Sequence, residues 1–175
     1  MWFRWPDSDL QPLERANSAE PCQFNGYIIK DSQQYGADVP VNSSLHLDIH
    51  RMIELKLAAT KNSPEIIMSP DGVIKIRGRS IQENSIDFFK PVNDWVTEYI
   101  KDPADVTCVD VSLEYFNSAS AKIIINLLQK ISHVQLKNKK FMINWYYEEG
   151  DADILEGGEY FSSVLNIPFN FIRIT

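Results

Sequence analysis

The sequence predicts a single α/β domain with a mixed sheet of about five strands and three covering helices. Two kinds of segment follow one another along the chain. In one, apolar residues alternate with polar ones, as in strands, and in the other, apolar residues recur at helical spacing. Because strands separated by helices pair in parallel through right-handed crossovers, the later part of the sheet is expected to be parallel. The chain has 175 residues, of which 44% are hydrophobic, and this is enough apolar surface for one core.

The predicted domain opens with a β-hairpin followed by a helix. Residues 65–68 and 73–77 have strand patterns, and Pro70-Asp71-Gly72 between them supplies the backbone angles of a tight turn. Apolar residues then recur at helical spacing from Phe88 to Tyr99. Pro91 lies inside this pattern, and proline is best tolerated in the first turn, so the regular helix is expected to begin near Pro91.

The second half of the domain alternates strands and helices. Strands are predicted at residues 106–113, 141–147 and 169–174, and helices at residues 119 to about 136 and 151–164. Gly157 and Gly158 weaken the last helix by about 1 kcal/mol each relative to alanine, and they are expected to permit close packing on the sheet.

The turn between the central strand and the central helix, residues 117–120, contains two serines. The side chains of Asn117, Ser118 and Ser120 are of the type that caps a helix by accepting hydrogen bonds from its first N–H groups. The same N–H groups and the positive end of the helix dipole favour a bound or covalently attached phosphate. The residues themselves therefore leave three uses open: a cap, a phosphorylation site, and a small-anion or nucleotide-binding site.

The segment from Tyr115 to Lys122, Tyr-Phe-Asn-Ser-Ala-Ser-Ala-Lys, resembles the signature of the SiaC family of bacterial regulatory phosphoproteins. Further segments agree with the family in the same order along the chain. These are Ser63-Pro64-Glu65, Gly78-Arg79-Ser80, Glu83-Asn84, Phe88-Phe89 with Pro91 and Trp95, Trp145-Tyr146-Tyr147-Glu148-Glu149, and Pro168-Phe169. Two departures are Ala119 in place of the usual middle serine and Gln82 where proline is usual.

The resemblance implies a non-catalytic signalling adaptor whose fold is similar to that of anti-sigma-factor antagonists. It implies a phosphoacceptor at Ser118, with Ser120 as the second candidate, and a partner-binding surface of Tyr115, Asn117, Arg79 and Glu83. The partners it implies are a Ser/Thr kinase of the histidine-kinase-like ATPase fold, a PP2C-type phosphatase and an effector such as a diguanylate cyclase. The implied output is control of cyclic di-GMP and of biofilm behaviour.

Composition argues against several other classes of protein. A net charge of −7 disfavours nucleic acid or an anionic membrane as the main partner. Cys22 and Cys108 are far apart in the sequence, and the chain has no long apolar run or secretory signal, so a reduced, cytoplasmic protein is expected. The sequence contains no phosphate-binding glycine loop and no nucleophile elbow, and neither an enzyme activity nor a cofactor is predicted.

Residues 1–51 differ in character from the rest, because they contain scattered prolines and polar residues without a sustained helical period. They are expected to form a poorly structured N-terminal extension of a domain at residues 52–175, with Met52 as a hypothetical natural start. Leu45, Leu47 and Ile49 alternate as in a short strand, which would place His46, Asp48 and His50 on one face. No other histidine or cysteine cluster completes such a set, so no metal site is assigned.

Overall fold

The structure, a computed structural model, describes residues 52–82 and 84–175. Six strands and three α-helices make up this part of the chain. They are, in order, β1 (Leu55–Leu57), β2 (Glu65–Met68), β3 (Val73–Ser80), α1 (Ser85–Tyr99), β4 (Val106–Phe116), α2 (Ser118–Ser132), a short 3-10 helix (His133–Lys137), β5 (Lys140–Glu148), α3 (Ala152–Leu165) and β6 (Phe169–Ile174).

The six strands form one sheet in the order β1-β2-β3-β4-β5-β6. The pairs β1/β2 and β2/β3 are antiparallel, and β3, β4, β5 and β6 are parallel to one another. The three crossovers between parallel strands all step in the same direction across the sheet. Right-handed connections then place α1, α2 and α3 on the same face, and the helices contact one another there in sequence order.

The core lies between this helical layer and the sheet. Alternate residues of the inner strands, such as Ile74 and Ile76 on β3 and Val109 and Val111 on β4, are fully buried. Trp145 on β5 is also fully buried, and its indole N–H donates to the carbonyl oxygen of Ile154 at 2.9 Å. One continuous hydrophobic cluster therefore holds the helices against one face of the sheet.

The predicted α/β class, the three helices and the hairpin are confirmed. In the hairpin, the N–H of Gly72 donates to the carbonyl of Ser69 at 3.0 Å, and Gly72 has φ +94°. A Cβ added there would lie 2.1 Å from the carbonyl oxygen of Val106, so the turn needs glycine for space as well as for conformation. The sheet has six strands rather than about five, since β1 is only three residues long and too short to show an alternating pattern.

The predicted start of the first helix near Pro91 is wrong. Helix α1 begins at Ser85, with Asn84 as its N-cap, and Pro91 lies inside it. Phe89 and Val92 are both fully buried on either side of the proline. Burial of this apolar face outweighs the hydrogen bond that proline cannot donate. The central helix also differs at its end, because α2 stops at Ser132 and the last turn tightens into the 3-10 helix.

The two glycines of α3 permit close packing, as predicted. A Cβ on Gly158 would lie 2.6 Å from Nε1 of Trp145, and a Cβ on Gly157 would lie 2.8 Å from the tip of the Phe116 ring. Helix α3 therefore approaches the sheet more closely than a helix with side chains at these two positions would allow.

Several predictions lie outside the described residues. These are the character of residues 1–51, the short strand at residues 45–49, and the weighing of His46, Asp48 and His50 as metal ligands. The reduced state expected of the cysteines is wrong for Cys108, which is disulfide-bonded. Within residues 52–82 and 84–175, none of the helices combines the length and the hydrophobicity that crossing a bilayer requires. The same residues contain no group of three or more side chains arranged to bind a metal ion.

Candidate functional site

The N-terminus of α2 lies at the carboxyl edge of the parallel strands. Strand β4 ends at Phe116, and the helix begins at Ser118, with a single residue between them. Asn117 is the N-cap, and its Oδ1 accepts a hydrogen bond from the N–H of Ser120 at 2.8 Å. The N–H of Asn117 donates to the carbonyl of Ser80 at 3.2 Å, which ties the turn to the end of β3. The predicted capping role of Asn117 is thus confirmed.

The two serines of this turn occupy different environments. Ser118 is the first helical residue, and its side chain is exposed. Ser120 is fully buried, and its Oγ has no hydrogen-bond partner among the described residues. The helical period explains the difference, because Ser120 is in phase with the buried stripe of Ile124, Leu127 and Ile131, whereas Ser118 lies about 200° away from Ser120 around the axis. The hydroxyl of Ser118, unlike that of Ser120, is therefore accessible from solvent in the folded chain.

The hydroxyl of Ser118 is not needed for the cap. Asn117 supplies the capping oxygen, and among the described residues the Ser118 Oγ makes no hydrogen bond. The N–H groups of Ser118 and Ala119, in the first turn, also have no partner within the described part of the chain. Two unpaired N–H groups and the positive end of the helix dipole therefore lie beside an exposed hydroxyl, an arrangement that favours negative charge.

A β-bulge shapes the surface next to this turn. Gly78 on β3 pairs with Leu113 on β4, whereas Arg79 pairs with Tyr115, so Glu114 is the extra residue. The shift keeps Phe116 on the helix side, where its ring packs against Trp145 at a centroid distance of 6.3 Å. Gly78 has φ +92°, a conformation that other residues adopt only with strain.

The bulge turns Tyr115 toward the face of the sheet that carries no helix, where the alternation of β3 already places Arg79. The side chain of Tyr115 is 54% exposed, which is unusual for a large aromatic residue in a strand. Arg79 is exposed too, and it takes part in no salt bridge among the described residues. The structure thus brings together Arg79, Tyr115, Asn117 and Ser118 at one edge of the sheet. Glu83, the other predicted partner-binding residue, lies outside the described residues.

Arg79 also lines an open groove of about 590 Å³. The groove runs between the loop that follows β1 and the ends of β3 and β4. Its lining residues are Ala59, Thr60, Lys61, Asn62, Gly78, Arg79, Ile81 and Glu114. The loop is held in place by Thr60, whose Oγ1 accepts from the N–H of Ser63 at 3.0 Å.

Two exposed residues of this region were not singled out by the sequence analysis. Lys61 lies in the groove, and no pattern in its segment distinguishes it from other surface lysines. Ile86, in the first turn of α1, is 77% exposed. The sequence contains the signal for this exposure, because Ile86 is out of phase with the apolar stripe of α1 and therefore faces outward.

The acidic segment before α3 caps that helix. Asp151 is the N-cap of α3, and its Oδ1 accepts from the N–H of Ile154 at 3.1 Å. Asp151 and Glu148 line a smaller recess of about 270 Å³ together with Tyr146. Burial, reinforced by the nearby carboxylate of Asp110, raises the pKa of the Tyr146 hydroxyl.

The SiaC family of regulatory phosphoproteins matches the chain over residues 57–174. A curated relative, an uncharacterized protein of Pseudomonas aeruginosa strain UCBPP-PA14, is 26% identical over 119 residues, covering 67% of this chain and 94% of its own.

Solved structures of SiaC from Pseudomonas aeruginosa share the fold. Apo-SiaC is 25% identical with a TM-score of 0.61, and the match covers 71% of this chain and 100% of that one. A second structure describes the diguanylate cyclase SiaD in complex with its activator SiaC. Its matching chain is 25% identical with a TM-score of 0.62, and the match covers 69% of this chain and 99% of that one. The predicted resemblance is confirmed, and this chain belongs to the SiaC family of regulatory phosphoproteins.

Proposed function

We propose that this protein is a non-catalytic signalling adaptor switched by reversible phosphorylation of Ser118. The observation that carries the proposal is the division of roles in the turn before α2. Asn117 caps the helix, Ser120 is buried, and Ser118 presents an exposed hydroxyl that makes no hydrogen bond within the described residues. A kinase can therefore modify Ser118 without breaking a contact that the fold requires.

The phosphate would act mainly through charge. It adds about −1.5 to −2 charges at pH 7, in a chain whose net charge is already −7. The unpaired N–H groups of Ser118 and Ala119 and the guanidinium of Arg79 are the groups of this edge that would stabilise it. The exposed carboxylate of Glu114 would instead destabilise the phosphate by charge repulsion. The modified surface would then repel an acidic partner that the unmodified surface accepts.

The surface that changes is the one that contains Tyr115. Exposed tyrosine and arginine side chains are common anchors of protein interfaces, and Tyr115 and Arg79 are paired across β3 and β4. We propose that this surface docks alternately on a Ser/Thr kinase of the histidine-kinase-like ATPase fold, a PP2C-type phosphatase and a diguanylate cyclase. The complex of SiaC with SiaD supports the last of these by analogy. Partner exchange would then set the level of cyclic di-GMP.

The test combines phosphorylation with binding. The chain is incubated with its cognate kinase, and the site is mapped by peptide mass spectrometry in the native protein, Ser118→Ala and Ser163→Ala. Ser163 is an exposed serine of α3 and serves as the matched control. We expect one phosphate in the native protein and in the control variant, and none in Ser118→Ala. Binding of the cognate cyclase is expected to survive Ser118→Ala and to weaken at least several-fold in Ser118→Asp.

Two outcomes would overturn the proposal. Equal cyclase binding by Ser118→Ala and Ser118→Asp would show an interaction protein without a switch. The absence of phosphate, combined with shifts of the Ser118 and Ala119 amide resonances on titration with inorganic phosphate, would favour the small-anion or nucleotide-binding module.

A further inference from the structure

The groove lined by Arg79 contains more positive than negative charge. Among the lining residues that the structure describes, Lys61 and Arg79 are cations and Glu114 is the one carboxylate. The chain as a whole has the opposite balance, with a net charge of −7. The groove is therefore a local site of attraction for an anionic group on a protein that otherwise repels anions.

Neither cation of the groove is neutralised by a neighbouring side chain. Lys61 and Arg79 are both exposed, and neither forms a salt bridge with any residue of 52–82 or 84–175. Other cations of the domain do have a carboxylate partner, and these are Lys56, Lys90, Lys101, Lys139 and Arg173. The two groove cations can therefore pair with carboxylates of another molecule without first breaking an ion pair of this one.

Hydrogen bonds hold the loop that carries Lys61 in a defined shape. The Oγ1 of Thr60 accepts from the N–H of Asn62 at 3.2 Å and from the N–H of Ser63 at 3.0 Å. The N–H of Ile81 donates to the carbonyl of Asn62 at 2.8 Å, which fixes the loop to the end of β3. Because the loop is already ordered, binding in the groove does not have to offset the entropy of ordering it.

A single peptide group connects the groove to the turn that contains Ser118. The carbonyl of Ser80 accepts from the N–H of Asn117 at 3.2 Å, and the N–H of the same peptide group, that of Ile81, donates to the carbonyl of Asn62. Ser118 directly follows Asn117 in the chain. A charge added at Ser118 would therefore lie beside the groove.

We propose that the groove binds an extended acidic segment of the cyclase partner, whose carboxylates pair with Lys61 and Arg79. This inference rests on the proposed function and specifies where that partner binds. Lysine and arginine both donate charge-assisted hydrogen bonds to carboxylates. Glu114 repels the same segment and limits its affinity. A phosphate on Ser118 would repel the segment too and would compete with it for the guanidinium of Arg79, so the switch would act on this contact directly.

Titration of the ¹⁵N-labelled full chain with a hexaglutamate peptide tests the proposal, with hexaglutamine as the uncharged control peptide. Amide shifts are expected to concentrate at Lys61, Gly78 and Ile81 and to weaken as salt is added. Lys61→Gln is expected to lower the affinity for hexaglutamate several-fold, and Glu114→Gln is expected to raise it. Lys137→Gln is the matched control, because Lys137 is an exposed lysine at the opposite edge of the sheet, just before β5, and its loss should change nothing.

Three results of the titration would overturn the proposal. One is the absence of hexaglutamate binding, and another is equal affinity in Lys61→Gln and Lys137→Gln. The third is broadening of the groove amides that grows with protein concentration without peptide, which would identify a second copy of the chain as the occupant.

Binding of the cognate cyclase separates this proposal from the proposed switch. Lys61→Gln is expected to weaken cyclase binding several-fold, whereas Lys137→Gln is expected to leave it unchanged. If Lys61→Gln binds the cyclase as the native protein does while Ser118→Asp still weakens binding, the groove is not the docking site and the switch stands. If Lys61→Gln weakens binding while Ser118→Ala and Ser118→Asp bind equally, the groove is the docking site and the switch fails.

Discussion

Replacing each serine of the α2 turn by aspartate tests the structural basis of the proposed switch. Ser118 and Ser120 are two residues apart in sequence but face opposite sides of the helix, one exposed and one fully buried. Ser118→Asp introduces a carboxylate into the first turn, where the helix dipole stabilises a negative charge by about 0.3–1 kcal/mol. This variant is expected to be as stable as the native protein or slightly more stable.

Ser120→Asp introduces the same charge at a position without solvent. An uncompensated buried charge costs about 3–5 kcal/mol, and the helix dipole offsets up to about 2 kcal/mol of this cost. We expect a net loss of about 3 kcal/mol in the free energy of unfolding, which is a fall of roughly 10 °C in Tm for a domain of this size. Urea and thermal unfolding followed by circular dichroism measure both quantities.

The neutral variants Ser118→Asn and Ser120→Asn separate charge from size. Burial raises the folded-state pKa of the carboxyl introduced at position 120, so its destabilising effect is small below the unfolded pKa of about 3.9 and grows as pH rises above it. The difference between Ser120→Asp and Ser120→Asn should therefore increase from pH 4 to pH 7. Equal stability of Ser118→Asp and Ser120→Asp at pH 7 would refute the assignment of Ser120 to the interior and, with it, the argument that only Ser118 is accessible.

Three further predictions concern the stability of the folded domain. Asn117→Ala removes the 2.8 Å capping hydrogen bond and is expected to lower the free energy of unfolding in urea by about 1 kcal/mol. The same change at Asn84, whose capping hydrogen bond is 3.4 Å long, is expected to lower it less, and equal losses would contradict this ranking. Gly158→Ala places a Cβ against Trp145 and is expected to destabilise by about 1–2 kcal/mol despite its better helix propensity, with a changed near-ultraviolet spectrum. Burial raises the pKa of the Tyr99 hydroxyl above its ordinary value of 10.0, so the folded state holds this proton more tightly than the unfolded state. The contribution of Tyr99 to the free energy of unfolding is therefore complete below pH 10 and is lost as pH rises above it. Tyr99→Phe should reduce this alkaline loss in unfolding experiments, and an unchanged slope against pH would refute the reasoning.

Much of the fold could be predicted because local pattern and tertiary packing agree. The alternation in β4 and the apolar stripe of α2 each match the face that the structure buries. The start of α1 was predicted too late because of Pro91. The preference of proline for the first turn of a helix contributes less free energy than the burial of Phe89 and Val92 on either side of it. The short strand β1 left no detectable pattern, since three residues cannot show an alternation.

The candidate site was predictable in composition but not in geometry. The positions of Tyr115, Asn117 and Ser118 followed from the motif, and the helical phase of Ser120 with Ile124 already contained the signal that Ser120 is buried. The bulge at Glu114 could not be predicted, because it arises from how two strands pair and from the positive φ of Gly78. Without the bulge, strand alternation would place Tyr115 on the helix side of the sheet.

The way in which the turn is capped limits how a phosphate at Ser118 can act. Asn117 supplies the capping oxygen and its N–H is bonded to the carbonyl of Ser80, so neither contact involves the Ser118 hydroxyl. The phosphorylation proposed for Ser118 would therefore leave the start of α2 intact, and a mechanism in which the phosphate melts the helix is disfavoured. What would change is the charge beside Arg79 and beside Tyr115, which the bulge turns outward. A switch built in this way alters the affinity for a partner while the domain itself keeps its fold.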